Sequence, residues 1–334
     1  MESLKQLGSL NGTALYQING PSPLSRYIST SPQTRSICND PFVLGVDYTN
    51  KLQAGMTAML EQMKEHKQID VSEKNAVVLN ILRGGLNFGL REALADAFDW
   101  NLHGSAFLSS QRAQDKSGHW HITENRYEKI SVPKKADLIV GDVVATGVSL
   151  EHALNRIIEA AIEQKTSIRS LTFVTIGGKR AEEIIETIDA TCKKSFEDFI
   201  GSSVIYIEGR FSVAEENDQR LKIAIGGTDL LRRDSLLAPE FIDSQSEGQP
   251  FALERCTIYD AGSRAFQITE YLADVHDYWT QVKALAQTGT TYATYLEERF
   301  PEDARLQDKA WVGEHNSTEE LASLADGQIK KATE

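Results

Sequence analysis

Cysteine is scarce in this chain, which holds only Cys38, Cys192 and Cys256 among 334 residues. Their odd number and wide spacing are typical neither of a disulfide framework nor of a structural zinc site. Because nothing in this pattern calls for an oxidising compartment, we predict a cytoplasmic location.

Long apolar runs and an excess of basic residues are also missing. No apolar stretch approaches the ~20 residues of a membrane span, and the N-terminus lacks the charged-then-apolar pattern of a secretion signal. Lys and Arg total 35 against 48 Asp and Glu, a net charge of -13. A nucleic-acid-binding surface needs the opposite balance, because it must displace counterions from phosphates. We therefore expect neither a membrane nor a nucleic acid as partner.

The composition that remains is that of a globular protein. A hydrophobic fraction of 41% suits a packed core, and the length allows one large domain with an appendage, or two domains. Residues 110–135 are a local exception to the acidic balance, since their basic side chains outnumber the acidic ones. A small anion could be held there.

The most informative stretch is 136–155. The apolar run Leu138 to Val140 predicts a buried strand, and an amphipathic helix follows from about Leu150. Between them lies a turn that contains Asp142, Thr146, Gly147 and Ser149. The free N–H groups and the macrodipole at a helix start attract anions, and a glycine lets the backbone come close to one. The alternative is an ordinary strand-to-helix turn in which Asp or Ser is the N-cap.

A second turn of this kind follows an apolar run from Ala76 to Leu82, which predicts a buried parallel strand. Arg83-Gly84-Gly85 then leads into a helix that we expect to reach about Phe98. A guanidinium offers phosphate oxygens a planar fork of donors. Alternatively, Arg83 is a surface residue in a plain turn. In open α/β sheets ligands collect beyond the carboxyl ends of the strands, where both turns would lie.

The segment Val140-Gly-Asp-Val-Val-Ala-Thr-Gly-Val-Ser149 resembles the PRPP-binding motif of type I phosphoribosyltransferases. Its Ala-Thr-Gly-x-Ser ending is most similar to uracil phosphoribosyltransferases. The resemblance implies that Asp142 binds the ribose hydroxyls and that the next loop grips the 5-phosphate through Ala145, Thr146, Gly147, Val148 and Ser149. The family usually has two adjacent acids here, and in this chain Gly141 stands at the first position.

Three further segments resemble that family. The turn at Arg83, Gly84 and Gly85 is similar to its pyrophosphate-binding loop. Phe107 to Arg112 is similar to a strand that leads into a hairpin closing over PRPP, which implies pyrophosphate contacts from Arg112 and Lys116. Leu221 to Asp229 is predicted to be a strand that ends in the base-binding turn, and the implied base-binding residues are Ile225, Gly226, Gly227 and Asp229. Arg232 stands where the family has an acid, so it would place a positive charge beside the base.

The flanks of this region carry less signal. Residues 1–40 are polar with little periodicity, which favours an N-terminal arm; 41–236 would form the phosphoribosyltransferase-like domain, and 237–334 a partly helical C-terminal extension. Within the domain we predict a helix from Tyr48 to Glu65 whose methionine stripe faces the core. In the extension we predict a linker at 237–250, a helix from Ser263 to about Ala286 and a frayed polar tail from Asn316.

The resemblance implies an α/β fold with a mainly parallel sheet flanked by helices, and transfer of 5-phosphoribosyl from PRPP to a uracil-like base. Pyrophosphate would leave with Mg²⁺, assisted by Arg83, Arg112 and Asp142, in a homo-oligomer that we expect to be a dimer. We assign no metal ligand to a side chain, because His119 and His121 lack a nearby third ligand. The alternatives are a PRPP- or nucleotide-binding regulator of the same fold without turnover, and a subunit whose extension mediates assembly.

Overall fold

The structure is a computed structural model of the 334-residue chain. It describes residues 2–82, 84–114, 120–144, 147–215, 218–223, 230–245, 253, 261–301 and 317–334. For residues 110–114, 120–126 and 261 it describes the backbone only.

One mixed β-sheet organises the described residues. Its strands are β1 Ser3–Leu10, β2 Thr13–Asn19, β3 Ser25–Thr30, β4 Ala76–Ile81, β5 Gly104–Gln114, β6 Trp120–Lys129, β7 Lys135–Val144, β8 Ser167–Gly178, β9 Gly201–Val213 and β10 Leu230–Leu237. Their order is β1-β2-β3-β9-β8-β7-β4-β5-β6, and β10 pairs with β9. The strands from β3 to β5 in this order run parallel. The predicted α/β fold with a mainly parallel sheet is confirmed.

Helices cover the sheet and form the C-terminal region. They are α1 Pro32–Asn39, α2 Gly45–Glu65, α3 Leu90–Phe98, α4 Val148–Glu163, α5 Arg180–Ser195, α6 Pro239–Ser244, α7 Ala261–Phe266, α8 Ile268–Gln287, α9 Tyr292–Arg299 and α10 Thr318–Thr333. A short 3-10 helix, Gly84–Phe88, precedes α3. Within these described residues no helix is both long and apolar enough to span a membrane.

The sheet is built on strands whose side chains are buried on both faces. All six residues of β4 are buried, as expected for a parallel strand covered by helices on each side. On one face α2 contributes the predicted methionine stripe: Met56, Met59 and Met63 are fully buried. The stripe is therefore part of the core.

The chain reverses direction across the sheet between β4 and β7. After β4 it continues outward through β5, whereas β7, β8 and β9 extend to the other side. Adjacent parallel strands whose connections leave in opposite directions form a topological switch point, and their carboxyl ends open a crevice. The two turns singled out in the sequence follow these two strands.

The first forty residues are more regular than expected. They form β1, β2, β3 and α1, and β3 pairs in parallel with β9. Strands β2 and β3 are largely buried, and Leu15, Ile18 and Ile28 lie in the core. The domain boundary at residue 40 stays a prediction.

Two expectations concern residues 221–250. The strand predicted at 221–229 is absent from residues 221–223, and residues 224–229 lie outside the described part. A strand that was not predicted, β10, begins at Leu230, and its Leu230, Leu231 and Leu237 are buried. The predicted linker contains α6, which begins with Pro239 in the first turn, where a missing N–H costs no helical hydrogen bond.

The C-terminal helices form a second apolar cluster around Trp279 of α8. The predicted helix 263–286 is two helices, α7 and α8, separated at Gln267. The polar tail is not frayed: a capping box between Ser317 and Glu320 starts α10, which packs along α8 through Leu321 and Ala325. Only Leu321, Ala325 and Gln328 of this helix are buried, which accounts for the weak apolar signal in the sequence.

Candidate functional site

The end of β7 carries the acid predicted to bind ribose. Asp142 is half-buried, and its Oδ1 accepts a hydrogen bond of 2.9 Å from the Val143 N–H. Its backbone pairs with Thr175 of β8, whereas the pairing of β7 with β4 on the other side ends at Val140. The side chain therefore stands at a fixed place on the carboxyl edge of the sheet.

The start of α4 fits closely against α5. Gly147 is the N-cap, with φ +78°, and provides no side-chain capping bond. A Cβ built on it would lie 2.1 Å from Ile184 Cδ1. Glycine is thus required at position 147 both by the left-handed backbone conformation and by the lack of room for a Cβ beside Ile184. Val148 and Ser149 follow in the first helical turn and are half-buried, whereas Ala145 and Thr146 lie outside the described residues.

The turn after β4 lies directly against the end of β7. A Cβ on Gly84 would lie 3.1 Å from Asp142 Oδ1, and one on Gly85 would lie 3.0 Å from the Gly141 carbonyl oxygen. The predicted pyrophosphate turn and the predicted ribose acid are therefore in contact. Arg83, which comes immediately before this turn, lies outside the described residues.

Gly141 makes room for the aromatic side chain of Phe88, which no motif in the sequence indicates. A Cβ at position 141 would lie 2.7 Å from Phe88 Cγ and 2.9 Å from Phe88 Cβ and Cδ1. Phe88 ends the 3-10 helix and is fully buried. The space in which the family's first acid would begin is filled by this ring.

The predicted hairpin is present beyond β5. Strands β5 and β6 pair in antiparallel fashion, with Arg112 opposite Ile122. The backbone alone is described at Arg112, and Lys116 and His119 lie outside the described residues. Within the part of the chain that the structure describes, no group of three or more His, Cys, Asp or Glu side chains could hold a metal ion.

The predicted base-binding residues Ile225, Gly226, Gly227 and Asp229 lie outside the described residues, but both flanks of their segment are described. Glu298 of α9 accepts hydrogen bonds from the Lys222 backbone N–H (2.9 Å) and Nζ (3.0 Å). Its carbonyl oxygen accepts one of 3.2 Å from Arg233 Nη1. The C-terminal helices therefore anchor both flanks, a contact that no local sequence signal indicated.

Arg232 has surroundings that differ from the expectation. Its side chain is buried, and Nε donates a 2.5 Å hydrogen bond to Gln245 Oε1. The guanidinium also lies 5.9 Å from the centre of the Phe241 ring. Because α6 and the residue after it supply these contacts, Arg232 takes part in packing the core beneath β10.

A model of one protein family matches this chain: the phosphoribosyl transferase domain, over residues 48–214, half of the chain. The chain belongs to this family. The matched residues of the phosphoribosyl transferase domain run from the first turns of α2 to the end of β9 and include β4, β7 and both turns at the switch point. A search of curated protein sequences found no match.

Solved structures to which this chain is similar include phosphoribosyltransferases. One is adenine phosphoribosyl transferase from Trypanosoma brucei, with 11% identity, 55% of this chain and 82% of that chain covered, and a TM-score of 0.34. Another is hypoxanthine phosphoribosyltransferase from Trypanosoma cruzi, with 15% identity, coverages of 61% and 93%, and a TM-score of 0.28. At such low identities and TM-scores these similarities carry no argument about the fold or the substrate of this chain.

Proposed function

We propose that this protein transfers the 5-phosphoribosyl group from PRPP to a nitrogenous base, with a uracil-like pyrimidine favoured, and releases pyrophosphate. The observation that carries the proposal is the contact between the two turns at the switch point. Gly84 of one turn lies beside the Asp142 carboxylate of the other. PRPP carries a phosphate and a pyrophosphate on opposite sides of one ribose. A site for it therefore needs two places that bind anions and, between them, a group that accepts hydrogen bonds from the ribose hydroxyls.

Each part of PRPP has a group of the protein that would bind it. The N-terminus of α4, from Gly147 to Ser149, supplies N–H groups and a positive dipole end for the 5-phosphate. The Asp142 carboxylate accepts hydrogen bonds from the ribose hydroxyls. Gly84 and Gly85 let the backbone approach the pyrophosphate, and Arg83 and Arg112 would neutralise its developing charge. Positioning and charge stabilisation suffice when the leaving group is already good, so no side-chain nucleophile is needed.

Mg²⁺ fits this arrangement as the partner of PRPP. Magnesium keeps several waters and commonly binds through one or two carboxylates together with substrate phosphates. Asp142 is the carboxylate that would take this role, and a cage of side-chain ligands is not required. When bound, the ion would draw negative charge from the leaving pyrophosphate.

The proposed acceptor rests on the resemblance of the phosphate loop and of the 225–229 segment to uracil phosphoribosyltransferases. Arg232, at the position where the family has an acid, is buried, and its Nε donates a hydrogen bond to Gln245 Oε1 in the core. We also propose, from sequence alone, a cytoplasmic location and a homodimer.

The second candidate is a PRPP- or nucleotide-binding regulator without turnover. The observation that favours it is the Phe88 ring in the space of the family's first acid, which leaves Asp142 as the acid of the motif. A site that binds the ribose through one carboxylate could retain affinity for PRPP and lose rate.

Pyrophosphate release separates the two candidates. The purified chain is incubated with PRPP and Mg²⁺, and release is followed for each of a panel of pyrimidine and purine bases. A transferase releases pyrophosphate with one base or a few, and uracil is the expected one. Binding of PRPP without base-dependent release would identify the regulator.

Asp142→Ala tests the assigned role within the same assay. We expect turnover to fall by about 10²-fold or more, because a charge-assisted contact to the reacting sugar is lost, on the order of 3 kcal/mol. Asp277→Ala is the matched control, since Asp277 is an exposed acid on α8. Equal turnover in the two variants would refute the role of Asp142.

A further inference from the structure

The glycine at position 141 is explained by space and not by backbone conformation. The glycines with left-handed φ angles include Gly89 and Gly147 but not Gly141. Any residue could therefore adopt the backbone of position 141. The obstacle is Phe88, whose Cγ would lie 2.7 Å from an added Cβ, well inside normal contact distance.

Phe88 connects the two turns of the site. It belongs to the same 3-10 helix as Gly84 and Gly85, and its ring packs on the backbone of β7 one residue before Asp142. Two more close approaches flank this contact, at the Gly141 carbonyl oxygen and at Asp142 Oδ1. A close-packed interior transmits a displacement of one element to the next, so the turns cannot shift independently.

We propose that Phe88 and Gly141 form an interlock that sets the spacing between the pyrophosphate turn and Asp142, which makes Phe88 a positioning residue for PRPP. The inference rests on the proposed function. It assigns a role to the glycine at position 141: the absence of a Cβ there admits the ring that fixes where the leaving group lies relative to the ribose. The interlock matters for a ligand that spans both turns and matters little for a ligand that occupies one.

The test compares three ligands that differ in whether they contact one turn of the site or both. PRPP spans both turns, ribose 5-phosphate occupies the β7 side, and pyrophosphate occupies the β4 side. Affinities for each, with Mg²⁺, are measured by calorimetric titration on the wild type, Gly141→Ala, Phe88→Ala, Phe88→Leu and the double alanine variant. Gly327→Ala is the control, because a Cβ there meets nothing within 4 Å.

We expect Gly141→Ala to weaken PRPP binding at least tenfold while the affinities for ribose 5-phosphate and pyrophosphate change less than threefold. Phe88→Leu, which keeps an apolar side chain on β7, should recover most of the PRPP affinity lost in Phe88→Ala. In the double variant the added methyl occupies space vacated by the ring, so its PRPP affinity should exceed that of Gly141→Ala.

Three results would overturn the interlock. The first is unchanged PRPP affinity in Gly141→Ala, and the second is an equal loss of affinity for all three ligands. The third is a fold-loss of PRPP affinity in the double variant that equals the product of the fold-losses in the two single variants. The wild type distinguishes these failures from failure of the proposed function. If the wild type binds no PRPP, the proposed function is wrong and the interlock has no role in it. If the wild type binds PRPP and any of the three results occurs, the interlock alone is wrong.

Discussion

Replacing Gly147 by alanine should destabilise the protein through two separable effects. A residue with a Cβ at φ +78° pays roughly 1–2 kcal/mol for the left-handed conformation. The new methyl would also lie 2.1 Å from Ile184 Cδ1, and overpacking of a core typically costs about 1–3 kcal/mol. The expected loss in unfolding free energy is therefore about 2–5 kcal/mol.

A second substitution separates the two effects. Ile184→Val removes the Cδ1 atom that the methyl would meet, and alone it should cost about 0.5–1.5 kcal/mol. In the Gly147→Ala background the same substitution relieves the overlap, so it should cost nothing or restore stability. The coupling between the two sites should then be about 1–3 kcal/mol.

Guanidinium chloride unfolding followed by circular dichroism measures all four members of this cycle, with the slope checked for constancy across variants. The reasoning is refuted if Gly147→Ala unfolds with the free energy of the wild type. It is also refuted if the costs of the two substitutions add without coupling, because the close approach would then not exist.

Two further predictions concern stability away from the site. Gly327→Ala in α10 should raise the unfolding free energy by about 1 kcal/mol, since alanine is the better helix former and nothing lies within 4 Å of the added methyl; a thermal melt checks it, and a lower melting temperature would contradict the packing described for α10. Glu208 is fully buried, which raises the pKa of its carboxyl from 4.5 to about 7 despite hydrogen bonds from Thr30 and the Ser31 N–H. The folded state then holds a proton that the unfolded state has released, so stability should fall as pH rises from about 5 to 8, by about 2–3 kcal/mol. Glu208→Gln should remove that part of the pH dependence, and an unchanged profile in the variant would contradict the raised pKa.

The strands and turns of the site were predictable because their signals are local. The apolar runs before Arg83 and Asp142 are long enough to indicate buried strands, and each passes through glycine into a helical pattern. Both predicted strands, β4 and β7, are present, and the topology places them side by side. The general rule for open α/β sheets placed both turns at the carboxyl edge, but only the structure shows that the two strands are neighbours.

The elements and contacts that were not predicted from the sequence also have physical explanations. Strand β1 lies at the edge of the sheet, where its side chains are half-buried or exposed, and so carries many polar residues. The helix α10 buries few side chains, and its pattern resembled a polar tail. Contacts between distant segments, such as Phe88 with Gly141 or Glu298 with Lys222, depend on the fold as a whole and leave no local pattern.

The central claim is that the adjoining turns after β4 and β7 bind PRPP, and calorimetric titration of PRPP into the wild type and Asp142→Ala with Mg²⁺ tests it most directly. We predict that the wild type binds one PRPP per chain and that the variant, with an unchanged melting temperature, binds at least tenfold more weakly. Absence of binding to the folded wild type, or equal affinity in the variant, would contradict the account.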